Sequence, residues 1–180
     1  TVLSFFPEYT LNNMTDDKKR ISVEDLLTQQ TGLDYDVSNP KSAGNETTMD
    51  YTDDWVKYTL DLPMIDTPGG NGRYASGNPI TLGRIIEKTT NIPLLQFATK
   101  NLFEPLGFKN YKWNFKPDKS NAEDYGQVYL TPREMSKFGL LYLNKGIWNG
   151  KQIISTYFVI QSFEKHSVIQ GVYYGYLWWI

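Results

Sequence analysis

The sequence predicts a mainly α-helical chain with a few short strands and a further strand at its C-terminal end. Helix-start signals recur: Ser22 stands before Val23-Glu-Asp, and Thr131-Pro-Arg-Glu134 has the spacing of a capping box with proline at the first helical position. Apolar residues then repeat at helical intervals, most clearly at Met135, Phe138, Leu140, Leu141 and Leu143. Strand-forming aromatics crowd the tail from Val172 to Ile180.

Residues 1–21 read as an extended lead-in with Pro7 and a polar turn from Asn12 to Lys19. A helix follows from Ser22 to Gln30, with acidic residues in its first turn, where they suit the helix dipole. Gly32 is placed to end it. Asp34 to Met49 is polar and loop-like, and Tyr51 to Asp61 has the apolar spacing of a short amphipathic helix stopped by Pro63. Helices are expected from Ile80 to Thr90 and from Pro93 to Phe103, the second ended by Pro105-Leu-Gly107. Short strands are expected around Tyr111-Lys-Trp113 and Gln127-Val-Tyr-Leu130, ahead of the capping-box helix that closes at Lys145-Gly146. Trp148-Asn-Gly-Lys151 reads as a tight turn, and Ser155 to Lys165 as a last helix.

The composition excludes several classes of function. With 40% hydrophobic and 15% aromatic residues, the 180-residue chain has the material for a core. The 18 basic and 20 acidic residues are scattered, so no basic stripe points to nucleic acid. With no cysteine and one histidine, His166, thiolate nucleophiles, disulfides and His-rich metal sites are excluded. No cofactor is expected, and no apolar run approaches the length of a membrane span.

The most site-like segment is Pro68-Gly-Gly-Asn-Gly-Arg-Tyr74-Ala-Ser76-Gly-Asn-Pro79, which runs into the Ile80 helix. Glycines let a backbone approach a ligand closely, and the hydroxyls of Tyr74 and Ser76 can move protons or donate hydrogen bonds. A tyrosine acts as a general base where a nearby cation lowers its pKa; a core tyrosine at a turn is the plainer reading of Tyr74 alone. A serine nucleophile needs a base one helical turn away. Ser38-Asn-Pro-Lys41 has the spacing but sits in a polar loop with an internal proline; Ser162-Phe-Glu-Lys165 has it beside Glu164 on a solvated face. Both matches are near chance. His166, beside Lys165 and Ser167, reads as a helix-end residue, and Gly70-Asn-Gly72-Arg-Tyr-Ala75 lacks the buried strand that a dinucleotide loop requires.

Five blocks in order change the weight on Tyr74. Ile21-Ser-Val-Glu-Asp-Leu-Leu-Thr-Gln-Gln-Thr-Gly-Leu33 resembles the "LLTHTSGL" helix and turn of the serine β-lactamase-like family, which includes class C β-lactamases, DD-peptidases and related esterases and amide hydrolases. Pro68 to Glu87 is similar to that family's glycine-loop block with its Tyr-x-Asn or Tyr-x-Ser motif. Leu102-Phe-Glu-Pro-Leu-Gly-Phe108, Thr131 to Ser155 and Tyr174-Gly-Tyr-Leu-Trp-Trp179 resemble the next three blocks.

The resemblance implies that residues 1–180 form one partial domain, the helical central part of the α/β DD-peptidase/β-lactamase fold. The nucleophile helix and the last catalytic strand would lie outside it. Tyr74 would be the catalytic element present, and Ser76 and Gln127 the substrate-binding candidates. Ser76 stands where class C β-lactamases usually carry asparagine, which looks more like the esterase and oligo-amide hydrolase branches. The implied partner is a small-molecule or peptide substrate, and the implied location periplasmic or extracellular. A non-catalytic helical module for cell-wall or peptide ligands is the alternative. Uncovered core faces would favour self-association.

Overall fold

The computed structural model describes residues 1–37, 39, 41–113 and 128–180. The Asp16–Arg20 helix α1 replaces part of the expected polar turn, because Thr15 accepts a hydrogen bond from the Lys18 N–H at 3.1 Å and Asp16 and Asp17 fill the first turn. Lys18 is buried, and its Nζ donates to the Leu62 carbonyl at 2.6 Å. Helix α2 (Val23–Leu27) opens on a full capping box between Ser22 and Asp25. Helix α3 (Glu46–Asp50) emerges from the expected loop, and α4 (Trp55–Asp61) is capped by Asp54.

Helix α5 (Gly77–Thr90) begins three residues before the apolar pattern starts and packs on α2 and α4. It ends at Asn91, whose φ of +58° supplies the left-handed stop. Val2, Ile21, Leu26, Leu33 and Leu60 meet in the core that these elements enclose. A second core gathers Phe103, Leu106, Phe108 and Leu141. It lies between α6 (Leu94–Ala98), which continues as a π-helical turn over Thr99–Phe103, and α7 (Pro132–Leu143).

Among the described residues the strands form only antiparallel pairs. Strand β1 (Tyr111–Trp113) pairs with β2 (Val128–Leu130), and β3 (Ile147–Trp148) with β4 (Lys151–Gln152). The β3–β4 turn puts Asn149 at φ +47° and Gly150 at +76°, the left-handed pair expected of an Asn-Gly hairpin. After α8 (Thr156–Ser162), β5 (Ser167–Ile169) pairs with β6 (Val172–Tyr174). The expected C-terminal strand therefore stops at Tyr174 instead of running to Ile180. Leu177 takes φ +60°, and the tail folds back so that the Ile180 N–H donates to the Tyr173 carbonyl at 2.9 Å.

Glu134 joins the second core to its flanking loop. Buried at 4% exposure, it accepts the Lys109 and Asn110 N–H groups, each at 2.8 Å, besides closing its own capping box on Thr131. The Asn110 N–H above all, with those of Lys109 and Thr131, holds its carboxyl at about 2, against 4.5 for an ordinary glutamate. The unfolded chain protonates this group at the higher value and the folded chain at the lower. Its stabilisation is therefore complete above about pH 4.5 and fades as the pH falls toward 2. Glu134→Gln is expected to lower stability at pH 7 and to flatten its decline through that acid window, measured by urea unfolding at a series of pH values. An unchanged slope would refute the assignment.

Candidate active site

The glycine loop is held from the C-terminal end of α2. That helix closes in a Schellman motif: the Gln30 N–H donates to the Asp25 carbonyl at 2.8 Å and the Gln29 N–H to Leu26 at 3.4 Å. The left-handed residue of the motif is Gln29, at φ +61°, and not Gly32 as the sequence suggested. Gly32 is also left-handed, at +75°, but for another reason: a side chain there would strike the Asp66 backbone.

The last four carbonyls of this turn point outward without helical partners. Each is taken by a distant segment. Leu27 accepts from the Leu177 N–H at 3.0 Å, Thr28 from the Ser167 hydroxyl at 2.6 Å, Gln29 from the Arg73 N–H at 2.8 Å and Gln30 from the Gly69 N–H at 2.9 Å. The Gln30 side chain also donates to the Gly69 and Gly70 carbonyls. Asp66 accepts from the N–H groups of Thr67 and Asn71 and from the Asn71 side chain. These bonds, led by the Asn71 N–H, lower its carboxyl pKa.

Tyr74 lies between two of these anchors. Arg73 donates to the Gln29 carbonyl on one side, and the Ala75 N–H donates to Gln29 Oε1 at 3.0 Å on the other. The Tyr74 ring stacks on Trp179, with centroids 5.7 Å apart, and Trp179 meets the buried Tyr174 edge-on. Burial pushes the Tyr174 phenol up to about 12, with a small further rise from Tyr74 and an opposing pull from Gln29. Tyr74 borders a cleft of about 150 Å³ together with Tyr35, Asp36, Arg73 and Ile169. Gly72 lets the loop press against β5, because a side chain there would meet the Val168 carbonyl at 2.6 Å.

Ser76 is half-buried at the mouth of α5 and makes no capping bond to that helix; its hydroxyl interacts with the Tyr35 phenol, which burial pushes upward. Tyr74 borders the cleft, whereas Ser76 lies two residues on, at the start of α5. Gln127 lies outside the described residues, as do Ser38 and Pro40 of the first Ser-x-x-Lys spacing. Ser162 is fully buried and donates to the Val159 carbonyl, while Lys165 Nζ lies 3.9 Å over the Tyr173 ring, so the second spacing forms no accessible dyad. His166 is held by the Gln161 carbonyl and stacked on Tyr176.

A larger groove, about 500 Å³, opens beside α4. Its carboxylates already have structural work: Asp54 caps α4 and accepts from the Tyr9 hydroxyl, and Asp61 accepts from Asn12 and Asn13. Among the described residues no group of three or more His, Cys, Asp or Glu is arranged to hold a metal ion, and no helix is long and apolar enough to cross a membrane. The sequence reading missed Gln29, Tyr174 and Trp179. The aromatic density of the last block was the available signal for the two rings, whereas nothing local marked Gln29.

A family model described as Beta-lactamase matches residues 5–179. The chain is 29% identical over 114 residues to an N-acetylmuramyl-L-alanine amidase of Bacillus subtilis (strain 168), a match covering 59% of this chain and 26% of that protein. In three dimensions it is similar to a Bacillus anthracis protein assigned as a 6-aminohexanoate-dimer hydrolase. The TM-score is 0.74 at 21% identity, covering 100% of this chain and 51% of the other. A penicillin-binding protein from Bacillus halodurans gives a TM-score of 0.69 at 16% identity over 98% of this chain and 64% of its own. The chain therefore spans about a quarter of the amidase and between half and two-thirds of these two structures. At such identities the structural likeness establishes the fold.

Gly77 sets how closely α5 approaches α4, since a side chain there would collide with the buried Thr59. Gly77→Ala is expected to destabilise the chain by about 1–3 kcal/mol, the usual cost of overpacking, read by urea unfolding. Adding Thr59→Ala should recover part of that loss. Independent, additive losses would rule out the collision.

Proposed function

The chain belongs to the Beta-lactamase family, and from that premise we propose that residues 1–180 are the central part of a serine hydrolase acting on ester, amide or β-lactam bonds through an acyl-enzyme. The observation that carries this reading is Tyr74, pinned by its backbone neighbours on both sides and bordering a cleft. The amidase and amide-hydrolase assignments of two similar proteins favour an amide substrate, while Ser76 at the third position of the motif fits the esterase and oligo-amide hydrolase branches alike.

In this mechanism a serine outside residues 1–180 gives its proton to a lysine as its oxygen bonds to the substrate carbonyl carbon. The bond to the leaving group breaks, and Tyr74 donates its phenolic proton to the departing oxygen or nitrogen, regaining one from the lysine. Water then adds to the acyl carbon, its proton passes back through the same pair, and the acid product leaves as the serine is restored. Ser76 hydrogen-bonds the substrate or the lysine, and Gln127 contributes to substrate binding. Backbone N–H groups outside this chain supply the oxyanion hole. The apolar faces left open on α7 and α8, with Leu143 77% and Tyr157 73% exposed, support self-association of the isolated piece.

A non-catalytic binding module is favoured by one observation, the burial of Ser162 with its hydroxyl committed to the Val159 carbonyl. Two measurements separate the readings. Tyr74→Phe in the full-length protein should lower kcat on an alkyl ester by about 100-fold or more. It should matter less on a p-nitrophenyl ester, whose leaving group departs unprotonated. A loss below about threefold on the alkyl ester would remove Tyr74 from the chemistry. Residues 1–180 alone should take up no fluorophosphonate; a stoichiometric adduct on one serine would put the nucleophile inside the chain.

A further inference from the structure

Gln29 occupies a position that backbone energetics reserve for glycine. The left-handed residue of a Schellman motif is usually glycine because a Cβ there costs about 1 kcal/mol or more. Gln29 accepts that strain at φ +61° and buries its side chain to 1% exposure. Strain of this kind persists where the surroundings demand it, and it points to a role.

The side-chain oxygen accepts two bonds, both from the far side of Tyr74, and the side chain also interacts with the Tyr174 phenol. Gln29 Oε1 accepts the Ala75 N–H at 3.0 Å and the Asn78 Nδ2 at 2.6 Å, while the Gln29 carbonyl accepts the Arg73 N–H at 2.8 Å. One residue therefore grips the chain immediately before and immediately after Tyr74 and ties both to the first turn of α5. Glycine would keep the backbone bond to Arg73 and lose the bonds to Ala75 and Asn78.

We propose that Gln29 is a positioning residue that holds the Tyr74 phenol in register with the cleft; the proposal rests on the proton-transfer role assigned to Tyr74. Gln29 touches no reacting atom. It acts by restricting the loop, so its removal should slow the proton-dependent step and leave substrate affinity nearly intact.

The full-length protein carrying Gln29→Gly tests this, because glycine relieves the backbone strain while deleting the grip. With an alkyl ester as probe, kcat is expected to fall by about tenfold or more with KM changed less than about threefold. The loss should be smaller with a p-nitrophenyl ester, a dependence that general destabilisation would not produce. In a Tyr74→Phe background, Gln29→Gly should change kcat by less than about threefold, since two residues acting as a unit do not add. Gln29→Asn tolerates the left-handed backbone but falls one methylene short of Ala75, and it makes the same test if the glycine variant does not fold. A full loss repeated in the Tyr74→Phe background, or kcat near the native value in both Gln29 variants, would overturn the positioning role. Native-like kcat in Tyr74→Phe itself would overturn the functional reading, and this proposal with it.

Discussion

The structure depends on four carbonyls that a short helix cannot satisfy. A five-residue helix such as α2 leaves most of its C-terminal acceptors without partners of their own. Here Leu27, Thr28, Gln29 and Gln30 direct them at the C-terminal tail, β5, the residue before Tyr74 and the glycine loop. Buried backbone oxygens must be paired, so this turn acts as a joint to which three separate segments attach. The loop and the tail then meet through Tyr74 and Trp179 because both are fastened to the same few residues.

That joint explains why the loop can be glycine-rich and still ordered. Glycine makes a loop adaptable at a cost in chain entropy. The opposing terms are the Asp66 carboxylate, which gathers Thr67 and Asn71, and the Gln30 amide, which takes the Gly69 and Gly70 carbonyls. Gly70 and Gly72 serve close approach, to Asp66 and to Val168, while Gly69 supplies a left-handed φ of +77°. A hydroxyl carried on such a loop stays in one place, as proton transfer requires.

The two cores divide the labour. The first surrounds α2, α4 and α5 and thereby sets the geometry around Tyr74; Gly77 lets α5 pack closely against Thr59 of α4. The second, under α7, is stitched to the β1 approach by Glu134 and leaves Met135, Leu140 and Leu143 in the open.

By itself the sequence determined the features governed by neighbours a few residues apart. Caps at Ser22 and Thr131, the Asn149-Gly150 turn and the approximate helix spans all follow from side chains bonding to their own local backbone. The five ordered blocks pointed to the family whose model matches residues 5–179, and made Tyr74 the candidate within it. Tertiary structure alone decided which residue ends α2, where the last strand stops and what surrounds Tyr74. Gln29 is left-handed because distant groups repay its strain. Tyr174 ends β6 because the tail turns back at Leu177 to pair with it, and the Tyr74 ring finds Trp179 across the fold. The Gln29 bond to Ala75 and the Tyr74–Trp179 stack join partners about 50 to 100 residues apart in the chain, and no local pattern encodes a contact of that span.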